Sequence, residues 1–236
     1  MYIRALLVSL TSIALFGQTA EVVLPKPRVQ FTTNLGSFIV ELEPEAAPKT
    51  VENFLEYSKS GFYKGTTFHR VIRTFMVQGG GHNVDGSEKK GRAPLVNEAK
   101  RSSEMGVTNT RGSIAMARLP NPDSATSQFF INVVDNARLN YPGTDGAGYC
   151  AFGYVIDGMD TIDKIRDVQT GAANKPLENV IIIDTKVTEV GGGAKDQATT
   201  TANSAVKKPT LPGKPELPKK PDEKAKTYTD VAPPKK

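Results

Sequence analysis

Arg70 and Gln78 lie among large apolar residues in one short stretch of the chain. From residue 68 the stretch reads FHRVIRTFMVQGGG. Successive side chains on a strand point to opposite faces. If two strands meet at a corner at residues 73–74, Arg70 and Gln78 reach one face beside Phe75 and Met76. A rigid hydrogen-bond donor beside an apolar pocket, without an acid, base or nucleophile, predicts a substrate that is bent rather than cleaved.

Alternating apolar residues predict that strands dominate the fold that positions these groups. The predicted strands cover residues 29–33, 37–42, 66–72, 75–78, 113–118, 128–134, 149–156 and 180–190. Two helices are predicted, one from Pro48 to a stop at Gly61 and one over residues 159–168. About eight strands joined by turns favour a mainly β fold, closed into a barrel with helices at its ends.

The predicted strands and the long stretch that follows them make two statements about the surroundings of Arg70. Within 66–72, Phe68, Arg70 and Ile72 are expected to share one face because they are two residues apart. Residues 79–111 form a long polar stretch with little periodicity, which predicts a functional or irregular loop. The three glycines that open this stretch lack the spacing and the following Lys-Ser/Thr of a phosphate-binding loop.

Several reactive or bulky side chains are better explained as structural. Cys150 is the only cysteine, so no internal disulfide forms, and its apolar neighbours predict a buried thiol rather than a nucleophile. His69 is expected to be a hydrogen-bonded structural histidine, with a general base as the alternative. Phe129 and Phe130 should face opposite ways on one strand, which predicts Phe129 in the core and Phe130 in a pocket.

Two further motifs identify a family. Residues 109–118 read NTRGSIAMAR and residues 123–132 read DSATSQFFIN. With the stretch around Arg70, they closely resemble cyclophilins, the peptidyl-prolyl cis-trans isomerases. Bacterial exported (periplasmic) cyclophilins are the most similar, and the resemblance covers roughly residues 29–190.

The resemblance implies a closed eight-stranded antiparallel barrel capped by two helices, and it assigns roles to specific residues. The catalytic residues would be Arg70, Phe75 and Gln78. The substrate-binding residues would be Met76, Ala117, Arg118, Gln128, Phe130, Leu139 and Tyr149. Arg118 would act through its backbone groups, where the substrate main chain docks. No cofactor or metal is implied, and the substrates would be proline-containing unfolded or extended polypeptides.

The chain departs from the family pattern at two places. Arg73-Thr74 stands where the family usually has Pro-Gly, which leaves the geometry of that turn open. Arg138 stands where eukaryotic members commonly have tryptophan and bacterial members often phenylalanine. Because the family binds cyclosporin at that position, we expect weak cyclosporin binding at most.

The two ends of the chain do not resemble a folded domain. Residues 1–20 combine Arg4, a run of about a dozen apolar residues and a small-residue end, which predicts a secretory signal peptide rather than a buried strand or helix. Residues 21–28 would be an N-terminal extension and 29–190 the isomerase domain. Export to the periplasm, or otherwise outside the cytoplasm of a bacterium, is the expected localisation.

Residues 191–236 carry the excess charge of the chain. The whole sequence has 30 basic and 25 acidic residues, and this tail alone has ten lysines, no arginine and five acids. The remaining residues therefore balance, which argues against a nucleic-acid partner. A disordered Lys/Pro-rich tail is predicted. Prolines at every third position from 209 to 221 favour a polyproline spacer, with a featureless flexible tail as the alternative.

Two functions from different classes follow. The first is a monomeric, exported isomerase that rotates X-Pro bonds and thereby assists the folding of exported proteins. The second is a module that binds or holds proline-containing peptides and is tethered to an anionic envelope surface by its basic tail. Arg70 together with Gln78 favours the enzyme, because binding alone needs the pocket but not the donor fork.

Overall fold

The structure, a computed structural model, describes residues 26–189 of the 236-residue chain. Within those residues it has ten strands and three α-helices. The strands are β1 (Pro27–Thr33), β2 (Gly36–Leu42), β3 (Thr66–Thr67), β4 (Arg70–Ile72), β5 (Met76–Gly79), β6 (His82–Asn83), β7 (Ser113–Met116), β8 (Phe129–Asn132), β9 (Ala151–Asp157) and β10 (Ile182–Glu189). The helices are α1 (Pro48–Lys59), α2 (Ala99–Glu104) and α3 (Met159–Arg166). None of the helices described is long and apolar enough to cross a membrane.

Eight strands form one curled antiparallel sheet in the order β10-β1-β2-β9-β7-β8-β5-β4, while β3 pairs with β6 separately. The prediction of a mainly β fold is therefore confirmed. The closed barrel is not confirmed, because no ladder joins the end strands β10 and β4 within residues 26–189. Contacts near the two edges join the residues just before β4 to those just before β10: a bridge between Thr67 and Ile181, and the Phe68 N–H donating to the Val180 carbonyl at 2.9 Å.

Aromatic rings fill the inside of the sheet. Alternate residues of β1 and β2 point inward and are fully buried, and the rings of Phe31 and Phe38 stack with centroids 4.8 Å apart. Helix α1 begins at Pro48, whose missing N–H costs a helix nothing at that position. It places Phe54 5.0 Å from Phe152 between ring centroids. These rings make the core that holds the strands in register.

The prediction of one strand over residues 66–72 is wrong. Thr66–Thr67 belongs to the β3–β6 ribbon and Arg70–Ile72 to the main sheet, and no strand covers the two residues between them. That break ends the two-residue alternation, so Phe68 is fully buried in the aromatic core whereas Arg70 lines an open pocket. The expectation that Phe68 shares a face with Arg70 and Ile72 therefore fails.

A third helix, α2, lies in the stretch that was predicted to be a loop. It has only six residues, of which Ala99 and Ser102 are buried. The Ser102 hydroxyl donates to the Val107 carbonyl at 2.8 Å. A helix this short shows no apolar repeat, which is why the two-helix prediction missed it.

The β4–β5 hairpin forms although its corner lacks Pro-Gly. The Phe75 N–H donates to the Ile72 carbonyl at 2.9 Å, and Arg73 and Thr74 are exposed. The register places Arg70 opposite Gln78. The predicted corner is thus confirmed, and it brings the two polar residues together.

Candidate active site

Side-chain hydrogen bonds link Arg70, Gln78 and Gln128 across three strands or strand ends. Arg70 and Gln78 are paired across β4 and β5, and Gln128 directly precedes β8, which pairs with β5. The Arg70 Nη1 donates to Gln78 Oε1 at 3.2 Å, and the Gln78 Nε2 donates to Gln128 Oε1 at 3.0 Å. Because guanidinium only donates and stays charged, these bonds orient a permanent donor fork.

The fork lies at one side of a pocket of about 120 Å³. The structure brings together nine of the ten residues proposed from the sequence, namely Arg70, Phe75, Met76, Gln78, Ala117, Arg118, Phe130, Leu139 and Tyr149. The tenth, Gln128, is not in the lining but bonds to Gln78 behind it. The apolar members of the lining are suited to a small aliphatic ring, and Arg70 gives the pocket one charged edge.

The side chain of Arg118 forms part of the pocket wall. Its side chain is only 3% exposed, and its Nη2 donates to the Gly148 carbonyl at 2.9 Å and also to the Asp145 carboxylate. The guanidinium carbon lies 4.3 Å from the ring centroid of Tyr149. The Ala117 N–H already donates to the Gln128 carbonyl at 3.0 Å. Arg118 therefore also supports the pocket wall with its side chain, beyond the backbone role expected for it.

Asp145 completes this wall. The amide of Gly148, followed by the Arg118 guanidinium and the amide of Ala147, lowers the pKa of Asp145 to about 2 against the opposing effect of burial. The carboxylate is therefore charged at any physiological pH. Sequence reasoning did not single out Asp145. Its side-chain partner, Arg118, is 27 residues away in the chain, and its other two partners are backbone amides of nearby residues.

The neighbouring phenylalanines of β8 separate as predicted. Phe129 is fully buried in the aromatic core, while Phe130 lines the pocket and meets Tyr149 edge-on with centroids 5.9 Å apart. Arg138 is exposed, and its guanidinium carbon lies 4.9 Å from the ring centroid of Phe75. A cation therefore covers one face of a pocket ring at the rim.

His69 and Cys150 lie outside the pocket. The Nδ1 of His69 is buried without a hydrogen-bond partner, while a hydrogen bond with the Thr67 backbone supports the prediction of a hydrogen-bonded structural histidine. Its ring packs 4.1 Å from that of His82, and burial, followed by His82, lowers the pKa of His69 to about 4. Cys150 is buried as predicted, and burial raises its pKa to about 12, so the thiol stays protonated.

Three buried asparagines support the pocket from below, and sequence reasoning missed them. Asn136 Nδ2 donates to the Phe75 carbonyl at 2.9 Å and to Asn132 Oδ1 at 2.7 Å. Asn109 Nδ2 donates to the Tyr149 carbonyl at 3.1 Å, and Asn132 Nδ2 to Asn109 Oδ1 at 3.2 Å. This network connects the backbone at two sides of the pocket. The one available signal was Asn132, a polar residue that closes an otherwise apolar strand.

Comparison with known proteins gives a family match. Residues 28–187 match the model of the family described as cyclophilin type peptidyl-prolyl cis-trans isomerase. The chain is 48% identical to peptidyl-prolyl cis-trans isomerase B of Escherichia coli over 167 residues, which cover 68% of this chain and 99% of that protein. It is 49% identical to a peptidyl-prolyl cis-trans isomerase of Acinetobacter baylyi over 171 residues, covering 71% of this chain and 88% of that protein.

Solved structures agree with the sequence comparison. A cyclophilin type peptidyl-prolyl cis-trans isomerase of Cryptosporidium parvum superposes with a TM-score of 0.58 at 29% identity, covering 70% of this chain and 98% of that one. The same protein in the presence of the dipeptide Ala-Pro gives a TM-score of 0.57 at 30% identity, covering 69% and 99%.

Proposed function

The chain belongs to the cyclophilin-type peptidyl-prolyl cis-trans isomerase family and is a peptidyl-prolyl cis-trans isomerase, and we propose that it rotates X-Pro bonds in the pocket beside Arg70. Proline-containing peptides are its substrates. The observation that supports this location most strongly is the Arg70 guanidinium, which Gln78 holds at the edge of a pocket large enough for a pyrrolidine ring.

The chemistry required is modest. Rotation about an X-Pro bond is slow because the nitrogen lone pair is delocalised into the carbonyl, with a barrier near ~20 kcal/mol. In the twisted state the lone pair is localised and can accept a hydrogen bond. A donor at Arg70 aimed at the prolyl nitrogen would therefore stabilise the transition state more than either ground state. A hundred-thousandfold acceleration would require only about 7 kcal/mol.

The other lining residues would hold the peptide for this step. Phe130, Met76 and Leu139, all buried, would receive the pyrrolidine ring, with Phe75 at the side. Gln78 would bond to the substrate backbone as well as steady Arg70. No covalent intermediate is needed, because the only bond order that changes is that of the amide.

The site is tested by measuring catalysed cis-trans exchange of an Ala-Pro peptide by NMR, with the full-length protein and with Phe130→Ala. Loss of ring contact should weaken peptide binding and turnover together. Tight peptide binding by Phe130→Ala with undiminished turnover would place the reaction elsewhere. Peptide binding by the unaltered protein without exchange would instead support the holding module.

The proposed setting is outside the cytoplasm, where the enzyme would act on exported proteins. The support is the order of charge, apolar run and small residues in 1–20, which lies outside the described residues. Cell fractionation, with mass spectrometry of the mature N-terminus, tests it. A cytoplasmic protein that retains residue 1 would contradict export.

We further infer that residues 191–236, also outside the described residues, bind anionic envelope surfaces. The support is their ten lysines against five acids. A lysine near an anionic surface contributes modestly to binding, and salt screens the attraction over roughly 8 Å at physiological ionic strength. Sedimentation with acidic lipid vesicles should therefore be lost on deletion of the tail and at high salt, while peptide exchange is unchanged. Equal, salt-insensitive sedimentation without the tail would contradict this role.

A further inference from the structure

The hydrogen bonds that begin at Arg70 continue beyond Gln128 to an exposed carboxylate. The Gln128 Nε2, which is on the far side of the amide from Gln78, donates to Glu88 Oε1 at 3.4 Å. The complete sequence of side chains is therefore Arg70, Gln78, Gln128 and Glu88, with one hydrogen bond between each neighbouring pair.

The two charged ends of this series fix the direction of every bond in it. A guanidinium has only donors, and a carboxylate has only acceptors. An amide placed between them must turn its oxygen toward the arginine and its NH₂ toward the carboxylate. Both glutamines meet this condition, and no other arrangement satisfies all three bonds. The orientation of the amides thus follows from the ends.

Glu88 is held close to Gln128 by its backbone. It pairs with His82 in an isolated antiparallel bridge, and the next N–H, that of Lys89, donates to the Gly81 carbonyl at 2.8 Å. Gly81 makes room for the contact, because a Cβ there would lie 2.3 Å from Gln128 Cγ. Because Gly81 has no side chain, the Gln128 side chain can pass close to it, and its amide then reaches the Glu88 carboxylate.

We propose that Glu88 is a positioning residue for the isomerase reaction. Its carboxylate holds the Gln128 amide with the oxygen toward Gln78, so that the Gln78 oxygen accepts from Arg70 and keeps the guanidinium aimed into the pocket. This inference rests on the proposed role of Arg70. Glu88 hydrogen-bonds to Gln128, and neither residue is in the lining of the pocket, so the effect of Glu88 should be on turnover rather than on peptide binding.

Glu88→Lys tests the inference because lysine can only donate. The Gln128 amide should then turn its oxygen toward the new lysine, which places its NH₂ group against the NH₂ group of Gln78. The Gln78 oxygen would no longer be held toward Arg70, and the guanidinium would lose its fixed orientation. We expect kcat for an Ala-Pro peptide to fall about three- to tenfold, with KM and melting temperature nearly unchanged. Glu88→Gln retains an accepting oxygen and should keep kcat within about twofold. The matched control is Glu178→Lys, which makes the same charge change at an exposed residue lining a different groove.

A double-mutant cycle separates positioning from a general charge effect. If Glu88 acts through Gln128, Glu88→Lys should lower kcat no further once Gln128 is replaced by leucine. Unchanged kcat in Glu88→Lys, an equal loss in Glu178→Lys, or an undiminished effect in the Gln128→Leu background would each overturn the proposal. Retention of activity by Arg70→Ala would instead overturn the proposed site, so the two failures are distinguishable.

Discussion

The two sides of strand β8 place neighbouring phenylalanines in different surroundings. The ring of Phe129 lies within 6.0 Å of aromatic rings on several elements, including those of Phe31, Phe54 and Phe68, measured between centroids. The ring of Phe130 faces the open pocket and has Tyr149 as its aromatic neighbour. One side of the strand therefore contributes mainly to folding, and the other is available for a substrate.

The polar contacts repeat this division. Arg70 and Gln78 are half-buried and bonded to each other on the pocket side, whereas the inner side is filled by apolar rings. The pocket lies on the opposite face of the sheet from the packed aromatic core and is therefore rigid. A preorganised hydrogen-bond donor requires such rigid support. Mutations on the two sides should accordingly separate activity from stability.

The largest separation is expected for Arg70→Ala. Removal of one preorganised donor costs roughly a hundred- to thousandfold in turnover. We expect kcat/KM for the peptide to fall by about that factor while the melting temperature changes by only a few degrees, because the side chain is not part of the core. Turnover and thermal unfolding of the same preparation check this. A comparable loss of stability would show that the two sides are not separate.

Phenylalanine truncations on β8 give the next largest effect. Phe129→Ala should lower the free energy of unfolding by about 3–5 kcal/mol, because it leaves a cavity among packed rings. Phe130→Ala should cost clearly less stability while peptide affinity and turnover drop. Urea unfolding and exchange kinetics of both variants provide the measurements. Equal losses of stability and activity in both would remove the distinction between the two faces.

A pH effect on stability is expected from His69, whose folded pKa of about 4 is below the ordinary value of 6.5. Between these values the unfolded chain binds more protons, so stability falls as pH decreases from about 6.5 to 4. The full effect would be on the order of 3 kcal/mol. The titratable side chains that line the same cavity as His69 are those of His82, Arg70 and Lys175. His69→Gln should flatten this part of the stability profile, and an unaltered profile would contradict the assignment.

The smallest effect concerns the rim of the pocket. Arg138 covers Phe75 with a charge where the family commonly has a flat aromatic ring. We therefore expect cyclosporin to inhibit weakly and Arg138→Trp to strengthen inhibition severalfold, with little change in peptide turnover. Inhibition constants of both proteins decide the matter. Tight inhibition of the unaltered protein would show that Arg138 is not the determinant.

The pocket was more predictable from the sequence than the sheet that carries it. Residues 70–78 lie on one hairpin, so a two-residue alternation and one corner suffice to pair Arg70 with Gln78. The break between Thr67 and Arg70 was not predictable, because burial of Phe68 against distant strands overrides the local alternation. The motifs at 109–118 and 123–132 contain Ala117, Arg118 and Phe130, whereas Leu139 and Tyr149 lie outside them, and all five were assigned only through the family resemblance.

Closure of the sheet and the supporting network depend on contacts between distant residues. Local pattern predicts about eight strands, but it does not show whether β10 and β4, at the two ends of the sheet, pair with each other. That depends on the twist of the sheet and on short bridges such as Thr67 to Ile181. The asparagine at 109 bonds Asn140, which is 31 residues away, and no periodicity marks such a pair. Helix α2 is too short to show a period.

The central claim is that a planar donor fork, rather than the pocket or a positive charge alone, turns peptide binding into isomerisation. The most direct test is the exchange rate of an Ala-Pro peptide with Arg70→Lys at saturating peptide. Lysine keeps the charge but lacks the fork that Gln78 orients. We predict that peptide affinity stays within about twofold while kcat falls at least about tenfold. A kcat close to that of the unaltered protein would contradict it.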